Sequence, residues 1–148
     1  MLLDTLTDNK VAASAVILER TAKRMKRFFQ EELIAIDADI TVDQWVVLQQ
    51  LERQEGQNQL EIAQAVYKDA PTVTRILDLL AKKKLVERVG DTTDRRRFNI
   101  ELTKLGRQRI KKVWPHIKAA RQKAWAGLDE KAIDKLVESL NQVFENIK

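Results

Sequence analysis

The sharpest chemical signal in this sequence is the run Asp94-Arg95-Arg96-Arg97. It follows Gly90-Asp91-Thr92-Thr93, a turn composition, so three guanidiniums crowd at a loop tip. Such a tip can enter a narrow, strongly negative groove of the kind that the DNA minor groove offers. An ordinary solvated turn needs no three like charges in a row. Asp94 reads as an internal anchor, because a carboxylate two residues before Arg96 can hold one guanidinium through a fork and aim its neighbour outward. A second constellation is Pro71-Thr72-Val73-Thr74-Arg75. An arginine fork matches the guanine edge in a major groove, and each threonine brings a hydroxyl and a methyl. The plainer alternative is that Thr72 caps a helix and Arg75 pairs with Asp78 at i,i+3.

Other chemistries fall away. With no Cys among 148 residues there is no disulfide framework, iron–sulfur cluster, thiol nucleophile or cysteine redox sensor. His116 is the only histidine, which excludes a multi-histidine zinc site and leaves open only a carboxylate magnesium or calcium site. The carboxylate pairs Asp37/Asp39 and Glu31/Glu32 come without a glycine-rich phosphate loop or nucleophile elbow, so they read as solvated helix-end charges. The expectation is a protein that is not an enzyme, with no cofactor and no metal. No run of 18 apolar residues exists and the first ten residues lack a basic leader with an apolar stretch, so the expected compartment is the cytoplasm.

The formal net charge of +5 hides a strong asymmetry. Residues 1–59 carry 7 basic and 10 acidic side chains, residues 60–125 carry 17 and 7, and residues 126–148 carry 3 and 5. A net of +10 in the middle is the footprint of a phosphate-backbone binder, although lysine-rich helix faces are also common on ordinary surfaces.

The elements that must position these groups are mostly helical. Val11, Ala15, Leu18, Ala22, Met25 and Phe29 form a stripe running to about Ile36. Ile40-Thr41-Val42-Asp43-Gln44-Trp45 predicts a capped start: Thr41 and Gln44 form a capping box and Ile40 staples onto Trp45. That helix continues through Leu48 and Leu51 until Gly56 stops it. A short helix follows over Leu60–Tyr67, with Leu60, Ala63 and Val66 or Tyr67 inward. Asp69 caps the next, which buries Val73, Ile76, Leu77 and Leu80 and points Pro71, Arg75, Asp78 and Lys82 outward. Leu85–Val89 and Arg97–Leu102 alternate as two strands of a hairpin. Thr103 caps a long basic helix, interrupted or kinked at Pro115, that runs to about Ala126. Ile133, Leu136, Val137, Leu140, Phe144 and Ile147 stripe a last helix.

Helix, short helix, helix, hairpin is the order of a winged helix-turn-helix, whose second paired helix reads the major groove. The fold expected is mainly α with a small β-hairpin wing and helical arms at both ends. It forms a single unit over 1–148, with the winged helix at about 40–103 and dimerisation helices at about 8–36 and 104–147. The terminal stripes would stay unburied in a lone chain, and pairing with a second copy buries them.

Ile40-Thr-Val-Asp-Gln-Trp45, Pro71-Thr-Val-Thr-Arg75, Leu85-Val-Glu-Arg88, and Asp94-Arg-Arg96 with Leu102, Thr103 and Gly106 together resemble a MarR-family transcriptional regulator over roughly residues 11–147. The resemblance implies a homodimer on double-stranded DNA at a pseudo-palindromic operator, a repressor in the first instance, with Arg95 or Arg96 as the minor-groove finger. It also implies a small aromatic or phenolic effector in a cleft, for which Arg24, Phe28, Phe29, Trp45 and Trp114 are candidates. The same aromatics also suit plain core and interface packing. The missing cysteines and lone histidine exclude the thiol-oxidation and multi-histidine zinc branches of that family. Two departures stand out: Lys82-Lys-Lys84 precedes Leu85 where the family commonly has Gly, and no Pro follows Asp91 in the wing. The competing reading is a winged helix used as a protein-interaction module, since fold alone does not decide function.

Overall fold

The computed structural model describes residues 2–94 and 96–148, with side chains from residue 7 onward. In chain order the elements are α1 (Leu2–Ala35), α2 (Val42–Arg53), α3 (Gln59–Ala65), α4 (Ala70–Lys82), β1 (Val86–Gly90), β2 (Phe98–Leu102), α5 (Lys104–Ala124) and α6 (Glu130–Ile147).

Local chemistry fixes most of the boundaries. The Thr41 hydroxyl accepts from the Gln44 amide and the Gln44 side chain accepts from the Thr41 amide, both at 3.1 Å, which is the capping box expected for α2. Asn58 and Glu61 make a second box at the start of α3. Asp69 accepts from the Thr72 amide at 2.8 Å and Pro71 falls in the first turn, where its missing donor is not needed. Thr103 accepts from the Gly106 amide at 3.0 Å to open α5.

Two details of phase differ from expectation. In α3 Ala63 is buried and Val66 packs against the core as expected, but Ile62 is buried as well, while Leu60 is 59% and Tyr67 81% exposed. Tyr67 then lies in the turn after α3 with a left-handed φ of 55°. Helix α5 runs through Pro115 without interruption and ends at Ala124 rather than Ala126.

The wing is an antiparallel pair with Val86 opposite Leu102 and Gly90 opposite Phe98. It is stitched to the loop before α3 as well: the Ile100 amide donates to the Gln57 carbonyl at 2.8 Å, and Asn58 bridges Asn99. The core joins Trp45, Val47, Leu48 and Leu51 of α2 to Ile62, to Val73, Leu77 and Leu80 of α4, and to Ile100, Ile110 and Val113. Helix α6 contributes no buried residue; Leu136, Val137, Leu140, Val143 and Phe144 are all exposed.

Lys84 occupies the position of the expected glycine and has a φ of 60°, a left-handed geometry that a side chain resists. What holds it there is the start of α5. The Thr103 hydroxyl donates to the Lys84 carbonyl at 2.6 Å and the Thr103 amide donates to that of Leu85 at 3.1 Å. Gly106 packs so closely on this turn that a Cβ there would lie 2.0 Å from the Leu85 carbonyl oxygen.

Candidate nucleic-acid interface

Helix α4 buries Val73, Ile76, Leu77 and Leu80, which leaves Pro71, Arg75, Asp78 and Lys82 exposed and Thr72 and Thr74 half-buried. Among the described residues Arg75 and Lys82 make no hydrogen bond or ion pair, so both cations are open to an outside partner. Asp69 anchors the start of the helix. Donation from the Thr72 amide, then from the Thr72 hydroxyl at 2.8 Å, holds its carboxyl below the usual carboxylate range. The Thr72 hydroxyl proton is thereby committed inward and its lone pairs remain available as acceptors.

Thr74 and Asp78 belong to a network. The Thr74 hydroxyl donates to the Ala70 carbonyl at 3.0 Å and accepts from Gln59 Nε2 at 3.0 Å. The Gln59 Oε1 accepts from Arg88 Nε at 3.3 Å, and Arg88 Nη2 donates to Asp78 Oδ1 at 2.6 Å. Three elements, α3, α4 and β1, are thus tied under the outer face of α4. Asp78 is paired with Arg88 of the wing rather than with Arg75, because the strand delivers a guanidinium closer than the helix does. At the other end of α4, Lys83 Nζ donates to the Asp39 carbonyl and to Gln44 Oε1. Gln59, Arg88 and Lys83 were not named as site residues from the sequence; Arg88 shares the face of β1 that carries buried Val86 and lies opposite Ile100, which brings its guanidinium over α3 and α4.

At the wing tip Asp91 accepts from the Thr93 amide at 2.9 Å and then from the Thr93 hydroxyl, which lowers its pKa. Asp94 does not form the expected fork with the Arg96 guanidinium. Its Oδ1 accepts from the Arg96 amide at 2.9 Å, because the backbone donor two residues on is nearer than the end of a long side chain. The Arg96 side chain is exposed and, among the described residues, unpaired. Arg97 lies 3.9 Å from Glu61, a loose pair. Arg95 lies outside the described residues.

The expected effector cleft is two cavities. Arg24 and Phe28 line one of about 650 Å³ with Arg20, Met25 and Lys123. Phe29 and Trp45 line another of about 370 Å³ with Met25, Lys26, Ile117 and Arg121. The Phe28 and Phe29 rings meet edge to face at 5.4 Å, and Met25 borders both cavities, so the two lie side by side. Trp114 lines neither; the Arg121 guanidinium lies over its ring at 5.3 Å. Arg24 is also drawn to Glu31 at 3.5 Å. Burial, then the charge of Arg53, lowers the pKa of Arg121, which donates to Gln49 at 3.0 Å. Among the described residues no group of three or more His, Asp or Glu is placed to hold a metal ion, and no helix is long and apolar enough to cross a membrane.

This arrangement of α2 to β2 is a winged helix-turn-helix, and two of its solved relatives are DNA-binding proteins. Residues 40–98 match the MarR family model. That match and the DNA complexes among the solved relatives support a DNA-binding transcriptional regulator. The Staphylococcus aureus MepR–DNA complex superposes with a TM-score of 0.80 at 27% identity, covering 90% of this chain and 97% of that one. Bordetella bronchiseptica BpsR, whose DNA binding is regulated by 6-hydroxynicotinic acid, gives 0.78 at 26% identity over 88% and 98%. A mutant Escherichia coli MarR complexed with operator DNA gives 0.81 at 23% identity over 91% and 96%, which speaks to the fold.

Proposed function

We propose that this protein is a homodimeric, cytoplasmic repressor that binds a pseudo-palindromic operator. In this reading the outer face of α4 enters the major groove, with Arg75 on a guanine edge and Thr72 and Thr74 beside it. Pro71 and Lys82 flank the contact, Asp78 holds the wing to the helix, and the tip Asp94–Arg97 reaches the minor groove through Arg95 or Arg96. The observation that carries the reading is that, among the described residues, the exposed guanidiniums of Arg75 and Arg96 make no hydrogen bond or ion pair, while the side chains around them are bound to one another. The unburied apolar face of α6, with Val11, Val16, Ile17 and Leu18 of α1, supports pairing with a second copy. Two winged helices then meet half-sites about one helical turn, ~10 bp, apart or a multiple of it.

Relief of repression is assigned to a small aromatic or phenolic anion in the cavity at Phe29, Trp45 and Arg121. That cavity is apolar with cations at its border, which suits an aromatic carboxylate. BpsR, with its 6-hydroxynicotinic acid response, makes that acid a sensible first probe. The test is an anisotropy titration against the region upstream of the protein's own gene at ~150 mM salt, where non-specific binding is weak. Two chains per site and clear discrimination against scrambled DNA are expected. Equal affinity for both sequences contradicts the regulator reading and favours the interaction module.

A further inference from the structure

Helix α5 carries no carboxylate from Lys104 to Ala124, and its inner face is Gly106, Ile110, Val113, Ile117 and Ala120. Lys104, Arg107, Lys111, Trp114, Lys118 and Arg121 recur at alternating steps of three and four along one outer flank, a stripe about 25 Å long. Five cations thus share a flank with one indole, which is 39% exposed beneath the Arg121 guanidinium. Only the lower end of the stripe is neutralised, where Arg107 pairs with Glu55. Among the described residues Lys104, Lys111 and Lys118 make no hydrogen bond or ion pair, and neither does Arg53 at the end of α2. Arg53 lies near enough to Arg121 to add to the effect of burial in lowering its pKa, and Arg121 is bonded to the Gln49 amide rather than to a carboxylate. Like charge gathered in this way is eased by an anion from outside.

The spacing and the indole narrow the choice of anion. Steps of three and four keep a stripe turned toward a second helix lying along it. A phosphate backbone has no use for an exposed indole, whereas a tryptophan among arginines is the composition of a protein-binding anchor. The chain's own α6, from a second copy, is a poorer match. It presents a broad apolar face, which suits Val11, Val16, Ile17 and Leu18 of α1, and it offsets Glu138 and Glu145 with Lys135 and Lys148. We propose that the α5 stripe docks an acidic amphipathic helix of another protein, with an apolar side chain on Trp114 and carboxylates on Lys111, Lys118 and Arg53. The stripe uses neither the outer face of α4 nor the wing tip, so DNA and this partner are held at once. No effector is needed.

The probe is a capped, fluorescein-labelled helical peptide of about 21 residues, with Glu at the seam positions and one central Leu. Its controls are the same composition in scrambled order and a peptide copy of residues 129–148. Anisotropy is read on the full chain, with and without random-sequence duplex. The seam peptide is expected to bind at least about tenfold more tightly than either control, with or without duplex. Trp114→Ala and Lys118→Glu should each weaken it about tenfold while keeping the wild-type mass in sedimentation and the wild-type duplex affinity. Lys123→Glu, which reverses a charge on the side of α5 that meets the Phe28 ring, should leave peptide binding unchanged. Equal binding of the scrambled peptide, or displacement of the seam peptide by duplex, would reduce the stripe to a bare cationic surface and overturn the proposal. Preference for the 129–148 copy, or dissociation of either variant into monomers, would make it a surface between copies and overturn it as well. A seam peptide that does not bind overturns it outright. None of these readouts depends on sequence-specific DNA binding, so each failure leaves the regulator reading standing.

Discussion

Arg88 of β1 donates to Asp78 of α4 at 2.6 Å, so the first strand of the wing grips the exposed side of α4. The same guanidinium reaches Gln59 of α3, which in turn bonds Thr74. Wing, reading helix and supporting helix are therefore set relative to one another by a surface network rather than by the core alone. Part-exposed ion pairs of this kind add little stability. Their value lies in fixing where Thr74 and the wing point.

Replacing Arg88 by Met should accordingly separate stability from recognition. Thermal unfolding is expected to shift by less than the equivalent of ~1 kcal/mol. The ratio of operator to scrambled-DNA affinity should fall several-fold, because α4 and the wing no longer share one orientation. An unchanged ratio would mean that the network is ornamental to DNA reading.

Arg75 and Arg96 should fail in different ways. Arg75→Ala is expected to cost about 1–3 kcal/mol on the cognate site and to relax preference at a single base position in each half-site. Arg96→Ala should weaken binding most where the sequence beneath the wing has a narrow, A·T-rich minor groove. Binding arrays with single-base substitutions distinguish the two patterns.

Lys84 offers a test of the backbone argument. Its φ of 60° is unfavourable for a side chain, and glycine adopts it freely. Lys84→Gly is expected to raise stability by roughly 0.5–1 kcal/mol, the left-handed penalty outweighing the extra freedom of unfolded glycine. A fall in the unfolding midpoint would show that the Thr103 clamp imposes no strain.

Asp43 gives a pH signature. Burial opposes its ionisation, but hydrogen bonds from Lys68 and Lys26 outweigh that and hold the pKa below 3.8. A carboxylate with a lowered folded pKa contributes stability above its unfolded value and loses it as pH falls through the folded one. The stability gap between wild type and Asp43→Asn should stay flat from neutral pH to about pH 5 and close below about pH 4. A gap that widens toward acid would contradict the pairing. Melting curves across pH provide the measurement.

Helix starts were legible because caps are local. Thr41 and Gln44, or Asp69 and Thr72, find each other within three residues, and the sequence spacing contains the interaction. The buried face of α4 was legible for the same reason. In α3 the inward Ala63 and Val66 were legible, but Leu60 stood in for Ile62, which the apolar pattern does not distinguish from it. Contacts between residues far apart in the chain also escaped: Gln57 to Ile100, Arg88 to Asp78, and Lys26 and Lys68 to Asp43. Each needs a polar partner from another element, and no periodicity announces it. The cleft residues fall into two neighbouring cavities, Arg24 with Phe28 toward Lys123 and Phe29 toward Trp45 of α2, a division that the sequence spacing does not announce. Asp94 shows the limit of reasoning from charge, for the carboxylate took a backbone amide where a guanidinium was expected.

Selection of bound sequences from random duplex DNA, run in parallel on the wild-type protein and on Arg75→Ala, tests the central claim most directly. The account predicts a pseudo-palindrome with half-sites about one helical turn, ~10 bp, apart or a multiple of it. Arg75→Ala should then retain the symmetry and lose one base preference in each half. Enrichment of no common motif by the wild-type protein would contradict sequence-specific regulation and leave the winged helix as a surface for other partners.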